Sequence, residues 1–186
     1  MANTDIPVNI YTDGACSGNQ EQENFGGWGA LLEYGKHIKE AFGGEINTTN
    51  NRMELRAFAE ALDMLTRENL TIRVFSDSSY LIRCMNDKWY EKWFKNNWMN
   101  ASKKPVENKD LWERILSHLP KHEFTFYHVK GHVNVNSDRV DLDKLYKKFT
   151  DKNGSDFTKK DFIYITEMNN NADALANKGI DSVKNI

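Results

Sequence analysis

The chain has 186 residues, a formal net charge of −2 and 39% hydrophobic residues. This composition is typical of a globular domain, and no apolar run is long enough to cross a membrane. The first residues lack a basic segment followed by an apolar one, so we expect no secretory signal and a cytoplasmic protein. General nucleic-acid binders are usually more basic, which makes the local distribution of charge decisive.

The predicted elements alternate between strands and helices. Short apolar runs bounded by turn residues predict strands at 8–12, 25–34, 38–46, 70–75 and 123–129, with a turn following the first of them at Gly14. Helical spacing begins near residue 51 and returns at 78–86 and 109–119, and a last helix carries Asp173. This order predicts an α/β fold in which helices flank a five-stranded mixed sheet.

The stretch 137–168 contains seven acidic and seven basic residues, so its net charge is zero. Leu142, Leu145, Tyr146 and Phe149 follow helical spacing, and residues 162–166 have the composition of a short strand. We interpret this stretch as an ordered insertion within a single domain that spans residues 1–186.

Four acidic residues far apart in the chain are candidate metal ligands. Asp13 and Asp77 follow predicted strands, whereas Glu54 and Asp173 lie near the predicted starts of helices. In open α/β sheets, sites gather at the carboxyl ends of strands. Clustered carboxylates raise each other's pKa unless cations neutralise them, and oxygen ligands without clustered His or Cys favour magnesium or manganese. The pattern predicts a divalent-metal site.

Each of the four residues also has a purely structural alternative. Asp13 fits an Asp-Gly turn, and Asp77 fits the N-cap of the next helix. Glu54 fits a capping box in which Asn51 is the N-cap. Asp173 fits the first turn of a helix capped at position 170 or 171.

The chain resembles the type 1 ribonuclease H family in several segments that occur in the same order. The segments lie between about residues 8 and 178 and include Thr12-Asp13-Gly14, Gly26-Gly27-Trp28-Gly29, Thr49-Asn50-Asn51-Arg52-Met53-Glu54, Ser76-Asp77-Ser78-Ser79-Tyr80, Val129-Lys130-Gly131-His132 and Asn171-Ala172-Asp173-Ala174-Leu175-Ala176. The resemblance implies a ribonuclease H-like fold. It also implies cleavage of the RNA strand of RNA–DNA hybrids, which leaves 5′-phosphate and 3′-hydroxyl ends.

The resemblance further implies that Asp13, Glu54, Asp77 and Asp173 bind two Mg²⁺ ions, with Mn²⁺ as a possible substitute. His132 corresponds to a family histidine that lies on a mobile loop and assists proton transfer or product departure. Histidine side chains suit that role because their unperturbed pKa lies near 6.5, although a lone histidine after Lys-Gly is more often a surface residue. The insertion begins soon after His132, where relatives have a shorter connection.

The expected partner is an RNA–DNA hybrid, bound by a monomer. The residues at positions that the resemblance links to nucleic-acid binding are Asn19, Thr49, Asn50, Asn51, Ser79, Trp93, Lys95, Trp98, Lys103 and Lys104. The stretch 89–104 resembles the basic protrusion with which some bacterial relatives grip the DNA strand. Alternatively, its aromatic residues pack a helical hairpin.

This stretch has fewer cations than such relatives, which predicts modest affinity for the hybrid. Lysines of the insertion are a possible supplement, unless they form only the solvated face of a docked helix. They are Lys144, Lys147, Lys148, Lys159 and Lys160.

Two rival functions remain open at this point. A different metal-dependent polynucleotidyl transferase of the same fold, such as a resolvase or transposase core, would act on DNA. A non-catalytic module would bind hybrid without turnover. The helix start Thr49-Asn50-Asn51-Arg52-Met53-Glu54 and the aromatic-lysine stretch favour the hybrid nuclease over the first rival, and the four filled acidic positions disfavour the second.

Overall fold

The computed structural model describes residues 6–18 and 23–185. The strands are β1 (Val8–Ser17), β2 (Phe25–Tyr34), β3 (His37–Ile46), β4 (Thr71–Ser76) and β5 (Glu123–His128). The helices are α1 (Asn50–Asp63), α2 (Ser79–Asn86), α3 (Trp89–Lys95), α4 (Lys109–His118), α5 (Leu142–Asn153) and α6 (Lys159–Lys184). Among these residues, none of the helices combines the length and apolar character that crossing a membrane requires.

The five strands form one mixed sheet in the order β3-β2-β1-β4-β5. β1 is antiparallel to β2 and parallel to β4, which is in turn parallel to β5. The predicted α/β class and all five predicted strands are confirmed. The predicted turn at Gly14 is wrong, because β1 continues to Ser17 in antiparallel pairing with β2.

Helices cover both faces of the sheet. On one face, α1, α2 and α4 enclose a core that includes Phe58 and Trp112. On the other face, α6 crosses β1, β2 and β3, and α5 lies beside it near β5. The core of this second face joins Tyr11 and Phe75 of the sheet to Phe149 of α5.

The last helix begins much earlier than predicted. Thr158 is its N-cap, and Thr158 and Asp161 form a reciprocal capping box. Residues 162–166 are therefore helical, and the predicted strand there is wrong. The predicted helix start at 170 or 171 is also wrong, since Asp173 lies in the middle of α6. Phe162 and Ile165 are buried on the face of this helix that packs against the core.

The helix predicted within the insertion is confirmed as α5. The side chain of Asn153 accepts a hydrogen bond from the His128 N–H (3.1 Å) and donates one to the His128 carbonyl (2.8 Å). These two bonds tie the end of α5 to the end of the edge strand β5. The ring of Phe157 packs against Phe75 and Phe149 at centroid distances of 5.9 and 5.5 Å. The insertion is thus joined to the main core.

Candidate active site

Two acidic residues meet where β1 and β4 separate. The parallel ladder of these strands ends at the pair Thr12–Ser76, and Asp13 and Asp77 directly follow these two residues in the chain. Because adjacent parallel strands run side by side, the two carboxylates come together at the carboxyl edge of β4. Asp13 remains in β1 and is only 3% exposed, and Asp77 is half-buried.

Local capping leaves Glu54 and Asp77 available for the site. Thr49 caps α1 by accepting a hydrogen bond from the Arg52 N–H at 3.1 Å. Ser78 caps α2 in the same way. The capping alternatives for Glu54 and Asp77 are therefore wrong, because other residues cap both helices.

Asp13, Glu54 and Asp77 form a compact cluster. One carboxylate oxygen of each lies within 4.8 Å of one such oxygen on the other two. Burial, followed by the charge of Asp77, raises the pKa of Asp13 to about 8. Burial and the neighbouring charge of Asp13 raise the pKa of Glu54 well above its usual range, and burial raises that of Asp77. Full ionisation of these three carboxyl groups is therefore unfavourable unless a bound cation neutralises their charge.

The cluster suits a hard divalent cation. Oε2 of Glu54 is buried and has no hydrogen-bond partner among the described residues. An unpaired buried carboxylate oxygen is costly, and coordination to a cation would satisfy it. The donors are carboxylate oxygens, which Mg²⁺ and Mn²⁺ prefer.

Asp173 reaches the edge of this cluster because α6 lies very close to β2. A Cβ atom on Gly29, the residue that pairs with Asp13, would be 2.3 Å from the carbonyl oxygen of Ala172. The half-buried Asp173 contributes to the raised pKa of Asp13, although burial and Asp77 contribute more. Its Oδ2 lies 3.7 Å from Nδ1 of His132. Asp173 therefore lies between the carboxylate cluster and His132.

The loop after β5 brings His132 to the site despite the insertion. A Cβ atom on Gly131 would lie 2.1 Å from Oδ2 of Asp77, so the loop passes directly over that carboxylate. The Asn170 side chain donates a hydrogen bond to the Val133 carbonyl at 2.8 Å. The side chain of His132 is 73% exposed and lines the same cavity, of about 370 Å³, as Asp13, Glu54 and Asp77.

Several predicted nucleic-acid contacts surround this cavity. Asn50, Asn51 and Ser79 line it, and Thr49 precedes them as the α1 cap. Asn19 lies outside the described residues. Arg52, in the same segment of α1, forms ion pairs with Glu45 and Asp110.

The stretch 89–104 is helical only over α3, so the alternative of a helical hairpin is wrong, although the aromatic packing that it implied is found for Trp93. After α3, Asn97, Trp98 and Lys103 have positive φ angles, which are incompatible with a continuing right-handed helix. Trp93 is buried, with its ring 5.1 Å from that of Trp112 and 6.0 Å from that of Trp98. Trp93 therefore packs the core and is not placed to contact nucleic acid.

The three lysines predicted to contact nucleic acid in this stretch are exposed and form no ion pair with any described residue. They are Lys95, Lys103 and Lys104. Trp98 is half-buried, and Lys109 lies over its ring at 5.4 Å from the centroid.

Sequence reasoning did not single out Arg139 or the side chain of Lys130, which line a cleft next to His132. The available signal was the position of Lys130, two residues before His132 in the same segment. The contribution of Arg139 depends on the path of the loop and has no local signature.

Comparisons with known proteins agree with this architecture. The family model described as RNase H matches residues 5–150. A ribonuclease H of Chlorobium phaeovibrioides is 53% identical over 125 residues, which cover 67% of this chain and 83% of the relative. A ribonuclease H of Clostridium botulinum is 50% identical with the same coverage.

Solved structures show the same fold. LC9-RNase H1, described as a type 1 RNase H with the type 2 active-site motif, has a TM-score of 0.59 at 28% identity, covering 80% of this chain and 76% of its own. The RNase H domain described as PFV has a TM-score of 0.59 at 24% identity and covers 94% of both chains.

Proposed function

The chain belongs to the ribonuclease H family, and we propose that it is an endoribonuclease that hydrolyses the RNA strand of RNA–DNA hybrids. The observation that carries the proposal is the cluster of Asp13, Glu54 and Asp77 at the sheet edge. Cleavage that leaves 5′-phosphate and 3′-hydroxyl ends is part of the proposal.

The proposed cofactor is a pair of Mg²⁺ ions, for which Mn²⁺ can substitute. Asp13 would contribute to both ions, Asp77 and Asp173 to one, and Glu54 to the other. When bound, such a pair activates the attacking water and stabilises the leaving oxygen of an in-line displacement. The unpaired oxygen of Glu54 and the raised pKa of Asp13 support this assignment.

The protein's own residues hold the substrate and move a proton. His132 lies at the rim of the cavity and is open to solvent, so it can exchange a proton near the departing product. Asn50, Asn51 and Ser79, which line the same cavity, offer polar groups to the sugar-phosphate backbone. The proposed molecule is a monomer, with the insertion as part of its single domain.

Cleavage of a strand-labelled hybrid in Mg²⁺ tests the proposal, with duplex DNA and duplex RNA as comparison substrates. We expect cuts only in the RNA strand of the hybrid. Asp13→Asn should lower the rate by at least about 10³-fold, because it removes the carboxylate that we propose would hold both ions. Asp181→Asn, an exposed change on α6, is the matched control and should keep full activity.

Two results would contradict the proposal. Binding of hybrid without cleavage in either Mg²⁺ or Mn²⁺ would indicate a non-catalytic module. Cleavage of duplex or branched DNA in preference to hybrid would indicate a different polynucleotidyl transferase of the same fold.

A further inference from the structure

The insertion forms one wall of a basic cleft, which we call the α5 groove. It consists of two adjoining cavities of about 310 Å³ each. Both cavities are lined by Lys130, Leu145 and Lys148, which makes them parts of one groove. Its cationic lining residues are Lys130, Arg139, Lys144, Lys148 and Lys152.

The charge of the α5 groove is almost entirely uncompensated. All five cations are exposed, and none forms an ion pair with a described residue. Asp141 is the acidic residue in the lining, and its carboxylate accepts a hydrogen bond from the Lys144 N–H at 3.0 Å as the α5 cap. Five cations therefore face one carboxylate that already has a structural role.

Other lysines of the insertion differ clearly from those in the groove. Lys147 pairs with Asp151 at 2.8 Å, and Lys159 pairs with Asp143 at 2.6 Å. Among the lysines of α5, Lys147 is thus neutralised by a neighbouring acid, whereas Lys144, Lys148 and Lys152 line the groove without an ion pair to any described residue. A helix that only needed a solvated outer face would not require this separation.

The α5 groove continues directly from the proposed catalytic cavity. His132 lines both, and it is 3.7 Å from Asp173. A strand whose phosphate lies at the carboxylate cluster can therefore pass His132 and enter the groove. Lys144 and Lys148 are one helical turn apart, so both side chains project to the same side of α5.

The groove is also held in a fixed shape. Its floor includes Phe149 and Phe162, which are buried in the core. Asn153 anchors the end of α5 to β5 through two hydrogen bonds to His128. An apolar floor below a cationic rim suits the sugar faces and phosphates of a nucleic-acid strand.

We infer that the α5 groove binds the phosphates of the RNA strand that flank the cleavage point. This inference rests on the proposed function. It identifies a second phosphate-binding surface for the hybrid, separate from the stretch 89–104. Such a surface offsets the small number of cations in that stretch.

The test measures the Kd of a hybrid as a function of salt, in an Asp13→Asn background that prevents cleavage. The double variant Lys144→Gln/Lys148→Gln removes two groove cations. The matched control Lys147→Gln/Lys159→Gln makes the same change in net charge but leaves the groove intact. Each lost phosphate contact should reduce the slope of log Kd against log salt by about 0.7–0.9, and the two together should raise Kd by about tenfold or more near 0.1 M salt. The control should retain the slope.

Arg139→Gln, on the loop outside α5, is a second variant that leaves the helix unchanged. It should reduce the slope by about half as much as the double variant. Hybrids with neutral methylphosphonate linkages in one strand at a time identify the strand involved. Methylphosphonates in the RNA strand beside the cleavage point should raise the Kd of the Asp13→Asn parent as the groove substitutions do. Methylphosphonates in the DNA strand should leave the difference in Kd between the parent and the groove variants unchanged.

Cleavage by the native protein separates the two possible failures. If the native protein does not cut hybrid, the proposed function fails. If it does, an unchanged slope in the Lys144/Lys148 and Arg139 variants overturns the inference. Equal losses in the groove variant and its charge-matched control would also overturn it, because only overall charge would then matter.

Discussion

Asp13 and Glu54 are buried acids that have no ion-pair partner among the described residues. Such residues reduce the stability of a fold unless a ligand compensates for their charge. The proposed metal site therefore has a structural consequence as well as a catalytic one: the protein without metal should become less stable whenever these groups ionise.

We expect the stability of the metal-free protein to fall as pH rises. The pKa of Asp13 is about 8 in the folded protein, compared with an ordinary value of 3.8. Between these values the folded state binds more protons than the unfolded state, so the stabilisation is complete near pH 4 and is lost as pH approaches 8. In EDTA, Tm should drop by more than about 3 °C from about pH 5 to about pH 8, since about 1 kcal/mol corresponds to roughly 2–4 °C at this size.

Thermal unfolding with and without Mg²⁺ checks this expectation. Added Mg²⁺ should restore Tm at the higher pH, and Asp13→Asn should flatten the dependence in EDTA. A Tm in EDTA that stays constant or rises over this pH range would show that the cluster does not hold its protons as described.

The position of His132 leads to a kinetic prediction. His132→Ala should lower kcat by about 10- to 100-fold, because a general acid–base contribution would be lost. The Kd for hybrid should change little, since the side chain is largely exposed. His37→Ala, at the exposed first residue of β3, is the control. An unchanged kcat at saturating hybrid would exclude a role for His132 in turnover.

At the scale of the elements, two glycines beside the site each allow another group to come close to the backbone. The carbonyl of Ala172 on α6 leaves no room for a side chain at Gly29, and the carboxylate of Asp77 leaves none at Gly131. The obstacle at Gly29 is backbone, which cannot move without moving α6. The obstacle at Gly131 is the end of a side chain, which can rotate away.

Alanine substitutions at these two glycines should therefore differ in their effects: one should mainly reduce folding stability, and the other should mainly reduce activity. Gly29→Ala should reduce stability by about 2 kcal/mol or more, because α6 must shift away from β2. Gly131→Ala should cost less than about 1 kcal/mol but lower activity by about tenfold or more, because it displaces a proposed metal ligand. Denaturant unfolding and hybrid cleavage of both variants check this, and similar profiles for the two would contradict it.

The insertion should contribute substantially to folding stability through its aromatic residues. Phe157→Ala should destabilise the protein by about 3–5 kcal/mol, since its buried ring packs between Phe75 and Phe149. Phe94→Ala, at a ring that is 55% exposed, should cost less than about 0.5 kcal/mol. A loss below about 1 kcal/mol for Phe157→Ala would mean that the insertion does not share the main core.

The elements also show what sequence reasoning could and could not provide. The five strands were predictable because each is a short apolar run between turn residues. The start of α6 was missed, although Thr158 and Asp161 follow the spacing of a capping box. Residues 162–166 were predicted to form a strand because their apolar run is too short to distinguish the hydrophobic period of a helix from that of a strand.

The site itself was predictable only in part. The four acidic residues were singled out from their local segments and His132 from the family resemblance; the fold brings them to one edge of the sheet, and their roles stay predictions. Arg139 and the α5 groove could not be predicted, because they depend on how the loop after β5 folds back beside α5. Trp93 was misplaced, because aromatic residues between lysines look the same in a core as at an interface.

At the scale of the whole molecule, a chain whose net charge is −2 carries two regions of exposed cations that form no ion pair with a described residue. One region is the stretch 89–104, and the other is the α5 groove. Because binding to nucleic acid depends on local phosphate contacts, the negative total does not prevent it.

We expect hybrid affinity that is modest and that falls less steeply with salt than the affinity of more basic relatives, because the α5 groove offsets only part of the cations missing from the stretch 89–104. Near 0.1 M salt, Kd should be weaker than that of more basic relatives measured under the same conditions, because fewer phosphates are neutralised. Titration of both proteins across a salt series checks this. A Kd equal to that of a strongly basic relative at equal salt would contradict it.

The single continuous α6 has a mechanical consequence. Its 26 residues extend about 39 Å, with the aromatic anchor of the insertion near one end and Asp173 near the middle. A helix transmits displacement along its axis because its hydrogen-bonded turns resist compression and bending. Asp173 thus lies on a continuous helix whose N-terminal end is held in place by the insertion. Binding of a ligand to α5, or proteolysis that detaches α5, would therefore shift the position of the Asp173 carboxylate, a proposed metal ligand, without any direct contact with the site.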